Sequence, residues 1–450
     1  MTTHNKNQKI FGKHFIFGSA TAAFQIEGGA DLDGKVESIW DTFCAEPGNV
    51  INGDHGLIAC DHYHRWEEDL KRLQELGVDA YRFSIAWPRI IRGLDGEVNQ
   101  AGLDFYQQII DRLQAYEIKP FVTLYHWDLP QYLEDEGGWL NRDTAHQFTH
   151  YADVVTRHFG DQVHTYTTFN EPWCSAMLGY LHGIHAPGHS DRKEALTAAH
   201  HLLLAHGMAM PLMRQNAPGA QHGIVLNMAP FDAASASPQD QTAANLAGAE
   251  NNHWFIQPLL EGVYPSLVME QYPEAVPHIE SGDMDIIKTP NDYLGLNYYT
   301  RQTVHHNPEN ALFGYDLIVP EGAEVTDLGW EVHPQGLTRL LIDLHERYDL
   351  PPVYITENGM ANDDEYDEVL VKDDARVKYF REHLEALAEA MNAGVDVRAY
   401  FAWSLLDNFE WAEGYTKRFG LYYVNYETQE RVPKLSAHFF GDFIRSTRSE

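Results

Sequence analysis

The sequence predicts an α/β protein, a (β/α)8 TIM barrel in a single domain with long loops at the C-terminal face of the strands. Eight short runs rich in β-branched and aromatic residues recur along the chain, and amphipathic helical patterns lie between most of them. Such alternation is typical of parallel strands joined by helices. An open, doubly wound sheet would show the same alternation, so the placement of the polar residues has to distinguish the two folds.

The strand candidates are distributed over the whole chain. They read HFIFGSA from residue 14, DAYRFSIAW from 79, KPFVTLYHW from 119, HTYTTFNEP from 164, HGIVLNM from 222, DYLGLNYYT from 292, PVYITENG from 352 and VRAYFAWS from 397. Helical periodicity predicts helices over about 102–116, 142–159, 192–213, 335–347 and 374–392. Between the first two strands, Trp66, Leu70 and Leu73 share one helical face, and Gly77 is placed to cap that helix.

Polar and aromatic side chains mark the ends of these strand candidates. In a closed barrel, the reacting groups gather at the carboxyl ends of the strands. The residues at or just past the end of a candidate strand are His126, Asn170, Glu171, Asn297, Tyr299, Glu357 and Trp403. Their distribution over several strands favours the barrel. The connections after strands one, four, five, six and eight are long, and we expect them to build a pocket on one face.

No linker divides the 450 residues, so we expect one domain over 1–450. Residues 1–13 are predicted to be a loosely ordered N-terminal segment, and the acidic run DDEYDE at 363–368 is predicted to be an exposed loop. With 44% apolar and 12% aromatic residues, the chain can bury a substantial core.

The chain carries 66 acidic and 32 basic residues, a formal charge of −34. This charge would repel phosphate backbones and anionic membrane surfaces, so no nucleic-acid or membrane partner is expected. The N-terminus is polar and basic, and no run approaches about 18 apolar residues, which predicts a soluble, cytoplasmic protein. Three cysteines without C-x-x-C spacing argue against a disulfide framework or a thiolate metal site. A homo-oligomer is neither predicted nor excluded.

Two glutamates occupy equivalent positions on different strands. Glu171 in TTFNEPW and Glu357 in ITENG each follow a run of strand residues. On strands four and seven of one barrel they would face each other across its mouth, as the carboxyl pair of a glycoside-cleaving enzyme must. A separation of about 5–5.5 Å would indicate a retaining mechanism and a longer one an inverting mechanism. The alternative is that each glutamate is an ordinary capping or ion-pair residue.

The neighbours of each glutamate predict its role. Arg82 in YRFSIAW and Tyr299 in LNYYT are candidates to stabilise an ionised Glu357 as nucleophile, although Arg82 could equally form a structural ion pair. Glu171 is then the protonated acid, its pKa raised chiefly by the charge of Glu357 and by partial burial. Once a sugar esterifies Glu357, that charge vanishes, the pKa of Glu171 falls, and Glu171 can act as a base.

Several motifs, taken in order, resemble those of one family. FIFGSATAAFQIEG near residue 15, TFNEP, ITENG, WSLLDNFEW and RVPKLSAHFF near 440 are together similar to glycoside hydrolase family 1, the retaining β-glucosidases and their relatives. The likeness extends over nearly the whole chain. It implies the (β/α)8 fold, a small-molecule β-glycoside substrate, and neither a cofactor nor a metal. It also implies that Glu171 matches the family's acid/base and Glu357 its nucleophile.

The resemblance implies further binding residues. Those assigned to the hydroxyls of the sugar are Gln25, His126, Trp127, Asn170, Glu410 and Trp411. Asn297 and Tyr299 match the pair beside the nucleophile, and Trp403 matches the platform under the sugar ring. Phe419 lies close to the far hydroxyls, and Trp330 in LGWEV resembles the aromatic at the aglycone side. A barrel tryptophan or His126 could instead be an ordinary core residue.

Variations within the motifs narrow the substrate. Glu410 stands where phosphoglycoside-cleaving relatives have a serine, and a carboxylate would repel a phosphate. Glu171 stands where thioglycoside-cleaving relatives have a glutamine, so an oxygen-linked substrate is expected. Cellobiose, short cello-oligosaccharides and aryl glucosides are the predicted substrates. A β-galactosidase or β-fucosidase of the same family, or a non-catalytic glycan-binding protein, is the alternative.

Trp173 and Leu178 are predicted to narrow the entrance, which would give tolerance to glucose.

Overall fold

The computed structural model describes residues 10–366 and 370–448, which contain a closed barrel of eight parallel strands. Each strand pairs with its neighbours in chain order, and the eighth pairs with the first. The strands are β1 Ile16–Ala20, β2 Ala80–Ser84, β3 Lys119–Tyr125, β4 Thr165–Asn170, β5 Gln221–Asn227, β6 Tyr293–Asn297, β7 Val353–Asn358 and β8 Val397–Trp403. The predicted barrel and all eight strand positions are confirmed.

Helices connect successive strands. Those of eight or more residues are His62–Leu76, Gln100–Ala115, Asp143–Phe159, Arg192–Asn216, Pro238–Gly248, Trp254–Glu261, Pro334–Arg347, Asp374–Asn392 and Leu435–Arg448. The predicted helices are confirmed, and Gly77 caps the first with a left-handed φ of 80°. The prediction omitted the two helices after β5 and the helix Leu435–Arg448 after β8. Pro238–Gly248 is rich in alanine and polar residues, so its apolar periodicity is weak.

The long loops carry small elements of their own. Shorter helices are Ala23–Ile26, Ile39–Ala45, Trp87–Ile90, Gln131–Glu134, Ser266–Gln271 and Asp283–Ile287. A three-stranded sheet forms from Phe231–Ala233, Gln302–His306 and Tyr315–Ile318, and a two-stranded sheet from Tyr422–Val424 and Arg431–Pro433. These sheets follow β5, β6 and β8, where the sequence predicts long connections.

An aromatic cluster fills the barrel interior. On β8, Ala399, Phe401 and Trp403 belong to this cluster, whereas the alternate residues Tyr400 and Ala402 pack in the larger core with the helices. The rings of Phe121 on β3 and Phe401 on β8 lie 4.9 Å apart, and that of Tyr354 on β7 lies 6.1 Å from Phe121. Successive side chains of a strand point to opposite faces of the sheet, so alternate residues belong to the barrel interior and to the core under the helices. Trp403 is the last residue of the interior cluster on β8, at the carboxyl end of the barrel.

Gly359 shows why a glycine follows the ITEN segment. A Cβ at this position would stand 1.9 Å from the carbonyl oxygen of Trp403 on the neighbouring strand. Only glycine allows the backbones to approach this closely. The end of β7 is therefore packed directly against the end of β8.

Two segments that the sequence predicts to be loosely ordered or exposed contain buried side chains. In the predicted loose segment 1–13, Phe11 is 2% exposed and packs edge-on against Phe15, 4.9 Å between ring centroids; residues 1–9 lie outside the described residues. In the acidic run, Asp364 is buried because Arg376 and Lys434 bind its carboxylate, whereas 367–368 lie outside the described residues. A charge run indicates solvent exposure only when no buried cation pairs with it.

Within the described ranges, none of the helices combines the length and the apolar character needed to cross a membrane. Cys44, Cys60 and Cys174 are buried free thiols.

The buried ammonium of Lys434 joins two loops at the top of the barrel. Its Nζ lies 2.5 Å from Asp364 Oδ2 after β7 and 2.6 Å from Asp407 Oδ1 after β8. We expect Lys434→Met to lower the free energy of unfolding by about 3–5 kcal/mol, because each of the two buried carboxylates loses one of its cations and keeps only an arginine, Arg376 or Arg418. The melting temperature measures this effect. Lys71→Met, at a side chain that is 65% exposed, is the matched control and should change little. Equal losses in the two variants would contradict the prediction.

Candidate active site

The predicted site residues meet at the carboxyl end of the barrel. Asn170 and Asn297 are the last residues of β4 and β6, and Glu357 is the penultimate residue of β7. All three are buried, with 0%, 1% and 3% exposure. Because the carboxyl ends of parallel strands share one edge, these side chains converge.

Glu171 leaves β4 through a strained turn. Its φ is 48°, in the left-handed region that glycine favours, and its backbone N–H donates to the carbonyl oxygen of Val225 on β5 at 2.9 Å. Pro172 then begins a helical segment. Trp127 and Trp411 also have positive φ, of 77° and 52°. Such conformations need support from the surrounding structure and are typical of functional sites.

Glu357 is held by one cation and one hydroxyl. Arg82 Nη1 donates to Glu357 Oε1 at 2.6 Å, and Tyr299 Oη donates to Glu357 Oε2 at 2.6 Å. The register between β6 and β7 shifts just before Glu357, which places it beside Asn297. Arg82 does form a buried ion pair, as one alternative proposed, but its partner is the second glutamate of the pair.

A continuous hydrogen-bond network connects the two carboxyl groups. Asn297 Nδ2 donates to Glu171 Oε1 at 2.6 Å and to Asn170 Oδ1 at 3.0 Å. Asn170 Oδ1 also accepts from Arg82 Nη2 at 2.7 Å, and Arg82 donates to Glu357. Both carboxyl groups therefore belong to one small, buried polar cluster.

The surroundings of the two carboxyl groups affect their pKa values differently. Burial and then the charge of Glu357 raise the pKa of Glu171 to about 8, against the hydrogen bonds from Asn297 and Cys174. Burial also raises the pKa of Glu357 above its ordinary value, but Arg82 and Tyr299 oppose this increase. Glu171 is 5% exposed, so the predicted order of causes is wrong: burial contributes more than the neighbouring charge.

Three further polar residues line the site. Gln25 Nε2 donates to the Phe409 carbonyl oxygen at 2.9 Å and lies 3.5 Å from Glu410 Oε2. His126 Nε2 contacts Asn170 Nδ2 at 3.1 Å. Gln25 Oε1 and His126 Nδ1 are buried without a hydrogen-bond partner among the described residues, which leaves each able to bind a hydroxyl. Burial and the charges of Glu357 and Glu171 raise the pKa of Glu410 to about 8.

Aromatic rings surround these polar groups on two sides. On one side, the Trp411 ring lies 4.5 Å from Trp127, and the His126 ring stacks with Trp403 at 5.8 Å. Trp127 Nε1 also donates to the backbone carbonyl oxygen of Asn170 at 2.9 Å. Flat apolar faces beside hydrogen-bonding groups suit a pyranose ring, which has apolar C–H faces and polar edges.

On the other side, Trp330 and Phe419 contact Tyr299. Their ring centroids lie 5.6 and 6.1 Å from that of Tyr299. Phe419 is buried, whereas Trp330 is 36% exposed. Trp330 is therefore the solvent-exposed member of this group, and its position at the aglycone side stays a prediction.

The predicted entrance residues, Trp173 and Leu178, lie on a helical segment. Residues 174–178 form a turn of π-helix directly after Trp173. Trp173 Nε1 donates to Asn251 Oδ1 at 2.8 Å, and Leu178 packs on the hydrophobic core, so both are half-buried. It stays a prediction that Trp173 and Leu178 narrow the entrance to the site and thereby give tolerance to glucose.

Sequence reasoning missed Cys174, Trp40 and His185. Cys174 Sγ lies 3.0 Å from Glu171 Oε2, and the Trp40 and His185 rings lie 4.6 and 6.4 Å from that of Trp411. Cys174 could have been found, because it follows Glu171 by three residues, one helical turn. Among the described residues, no group of three or more His, Cys, Asp or Glu side chains is arranged to hold a metal ion.

Comparison with known proteins agrees with this geometry. The family model of glycosyl hydrolase family 1 matches residues 7–449. The chain belongs to glycosyl hydrolase family 1. A β-glucosidase from Agrobacterium sp. is 46% identical over 443 residues, which cover 98% of this chain and 96% of the relative. A bifunctional β-D-glucosidase/β-D-fucosidase from Bifidobacterium breve is 46% identical over 459 residues, covering 97% and 98%.

A solved family 1 structure has the same fold. The family 1 β-glucosidase from Thermotoga maritima superposes with a TM-score of 0.94 at 44% identity and covers 98% of each chain. The family resemblance of the motifs is therefore confirmed.

The hydroxyl of Tyr299 should set the lower pH limit of activity. Its hydrogen bond favours the ionised form of Glu357, so Tyr299→Phe should raise the pKa of Glu357. The acidic limb of the kcat/KM profile on an aryl glucoside should then move up by about one to two pH units. Tyr298→Phe is the matched control, since that hydroxyl donates to the His333 carbonyl oxygen at 2.7 Å. An unmoved acidic limb in Tyr299→Phe would refute the prediction.

Proposed function

We propose that this family 1 chain is a retaining β-glucosidase that hydrolyses terminal, non-reducing β-D-glucosyl residues of cellobiose, short cello-oligosaccharides and aryl glucosides. The observation that carries the proposal is the unequal pair of buried carboxyl groups. Glu357 is bound by a guanidinium and a phenol, whereas Glu171 is bound by an amide and a thiol. Membership of a family with β-glucosidase relatives at about 45% identity supports the same activity.

In the first step, Glu357 is the nucleophile. Its ionised oxygen attacks the anomeric carbon while Glu171 donates its proton to the glycosidic oxygen, and the bond between that carbon and oxygen breaks. Arg82 and Tyr299 support ionisation of Glu357, and burial keeps Glu171 protonated near neutral pH. The products of this step are a free aglycone and a glucosyl ester of Glu357.

In the second step, Glu171 acts as the base. Esterification removes the charge of Glu357, which had contributed to the high pKa of Glu171. The pKa of Glu171 then falls, and its carboxylate takes a proton from the water that attacks the anomeric carbon. Glucose leaves with its β-configuration retained, and both carboxyl groups return to their starting states.

The remaining site residues bind the sugar. Asn170 is placed beside both carboxyl groups, where it can hold the 2-hydroxyl, whose hydrogen bond strengthens in the transition state. Gln25 and His126 carry buried polar atoms without a partner among the described residues, so they can bind further hydroxyls. Trp403 supplies the platform.

Glu410 binds the sugar hydroxyls that lie farthest from the anomeric carbon and disfavours negatively charged substrates. It lies near Gln25 and is half-buried, next to the buried Trp411. A phosphorylated sugar would bring two negative charges to a carboxyl group in a site with two others, which disfavours binding. Neutral sugars are therefore the proposed substrates. A cytoplasmic location stays a prediction from the sequence.

β-Fucosidase activity is the second candidate. The Bifidobacterium breve relative is named as a bifunctional β-D-glucosidase/β-D-fucosidase, and a fucoside presents fewer hydroxyls to Glu410. We expect cleavage of 4-nitrophenyl β-D-glucoside, with the fucoside and galactoside as matched comparisons at equal leaving group. Faster turnover of the galactoside than of both others, or no turnover of any, would argue against the proposal. The second result would favour a glycan-binding protein.

Glu357→Ala should lose turnover, because no nucleophile faces the anomeric carbon. Added azide is small enough to take the place of the carboxylate and should restore product as the α-glucosyl azide, with inverted configuration. Product analysis by NMR measures this. Rescue of Glu171→Ala that yields an α-azide would show that the two roles are reversed.

Glu171→Ala should affect substrates according to their leaving groups. Cellobiose, which needs protonation, should lose about 10²–10⁴-fold in rate. A 2,4-dinitrophenyl glucoside, whose leaving group departs unprotonated, should be cleaved in the first step at nearly the original rate. Pre-steady-state release of dinitrophenolate measures that step. Equal losses on both substrates would refute the assignment of Glu171 as the acid.

A further inference from the structure

Cys174 contacts the carboxyl group of Glu171 directly. Its thiol donates to Glu171 Oε2, with an Sγ to Oε2 distance of 3.0 Å. The backbone N–H of Cys174 donates to the carbonyl oxygen of Glu171 at 2.9 Å, so the helical turn itself sets the approach of the thiol. Cys174 is 6% exposed. This hydrogen bond therefore lies inside the site and away from solvent.

The thiol donates a hydrogen bond to one oxygen of this carboxyl group, and Asn297 donates a hydrogen bond to the other. Asn297 Nδ2 donates to Oε1 at 2.6 Å. An amide N–H is a stronger donor than a thiol, so Oε1 is the oxygen that gains more by staying an unprotonated acceptor. The proton of neutral Glu171 is therefore more stable on Oε2, the oxygen beside Cys174.

The thiol keeps its own proton at neutral pH. Burial, followed by the charge of Glu171, raises the pKa of Cys174 well above its ordinary value. A thiol is a weak donor and a weak acceptor. It can therefore stabilise an ionised Oε2 without competing strongly for the proton when Oε2 is protonated.

We propose that Cys174 is a positioning residue for the acid/base step, which orients Oε2 of Glu171 and donates to it after its proton has moved to the glycosidic oxygen. The thiol keeps its proton throughout, and the proton that is transferred comes from Glu171 alone. The proposal rests on the proposed function, in which Glu171 is the acid/base.

Other groups also influence the titration of Glu171. The charged or titratable side chains around it come from four other segments and are Arg82, Tyr299, Glu357 and Glu410. None of them has a hydrogen bond with Cys174 in the described residues. A substitution of the thiol therefore removes one donor to Glu171 and leaves the donors to Glu357 in place.

The test is the pH profile of kcat/KM for Cys174→Ala and Cys174→Ser. Loss of a donor to the carboxylate disfavours its ionised form, so the pKa of Glu171 rises in the alanine variant. The basic limb should move up by about half to one pH unit, and the acidic limb should move less. Serine supplies a donor again and should bring the basic limb back toward its original position. A merely structural role would not move one limb selectively.

Cys44→Ala is the matched control, since Cys44 is also a buried thiol but lies on the helix Ile39–Ala45 and has no hydrogen bond to Glu171 among the described residues. If Cys174→Ala does not fold, Cys174→Val fills the volume without a donor and should show the same shift. An unmoved basic limb, or equal shifts in the alanine and serine variants, would overturn the inference.

The leaving-group experiment on Glu171→Ala separates this inference from the proposed function. A leaving-group-dependent loss in Glu171→Ala together with an unmoved limb in Cys174→Ala would leave the proposed function in place and remove only the role of Cys174. Equal losses on all substrates in Glu171→Ala would instead remove the acid/base assignment and, with it, this inference.

Discussion

Two carboxyl groups share one buried cluster, and the site depends on keeping them different. Each would ordinarily have its pKa raised by the low dielectric of the interior, and two adjacent negative charges would repel each other. Arg82 reduces this repulsion because it donates a hydrogen bond to Glu357 and supplies a positive charge. Arg82 also donates to Asn170, which accepts from the Asn297 amide that binds Glu171. One cation in the cluster supports one carboxylate, and the second carboxyl group keeps its proton.

The barrel provides the rigid frame for this arrangement. The arginine, the asparagines and Glu357 stand on β2, β4, β6 and β7, so their distances follow from the spacing of hydrogen-bonded strands. Glu171 lies one residue past its strand with a left-handed φ, and its N–H is tied to β5. The backbone strain at this point is supported by the barrel beneath it. The buried ion pairs of Lys434 hold the loops after β7 and β8 above the same site.

Burial is the common cause of the unusual titration in the site. It is the largest contribution to the raised pKa of Glu171, Glu410 and Cys174. The sequence reasoning expected the neighbouring charge to dominate for Glu171, since two adjacent acids can be recognised from motifs. The degree of burial of Glu171 could not be predicted from the sequence, because it depends on how the aromatic residues and the long loops pack at the ends of the strands.

The sequence by itself determined the eight strands, most of the helices and the two glutamates, because strand periodicity, caps and short motifs are local properties of the chain. The burial of Asp364 and Phe11 was not predicted, because the partners that bury them, Arg376 and Phe15 among others, depend on the packing of the whole chain. Only the tertiary structure decided which donor meets which carboxyl oxygen. The hydrogen bond between Cys174 and Glu171 is an example. The spacing along the chain places Cys174 one helical turn after Glu171, but Asn297 from β6 binds Oε1 and leaves Oε2 to the thiol.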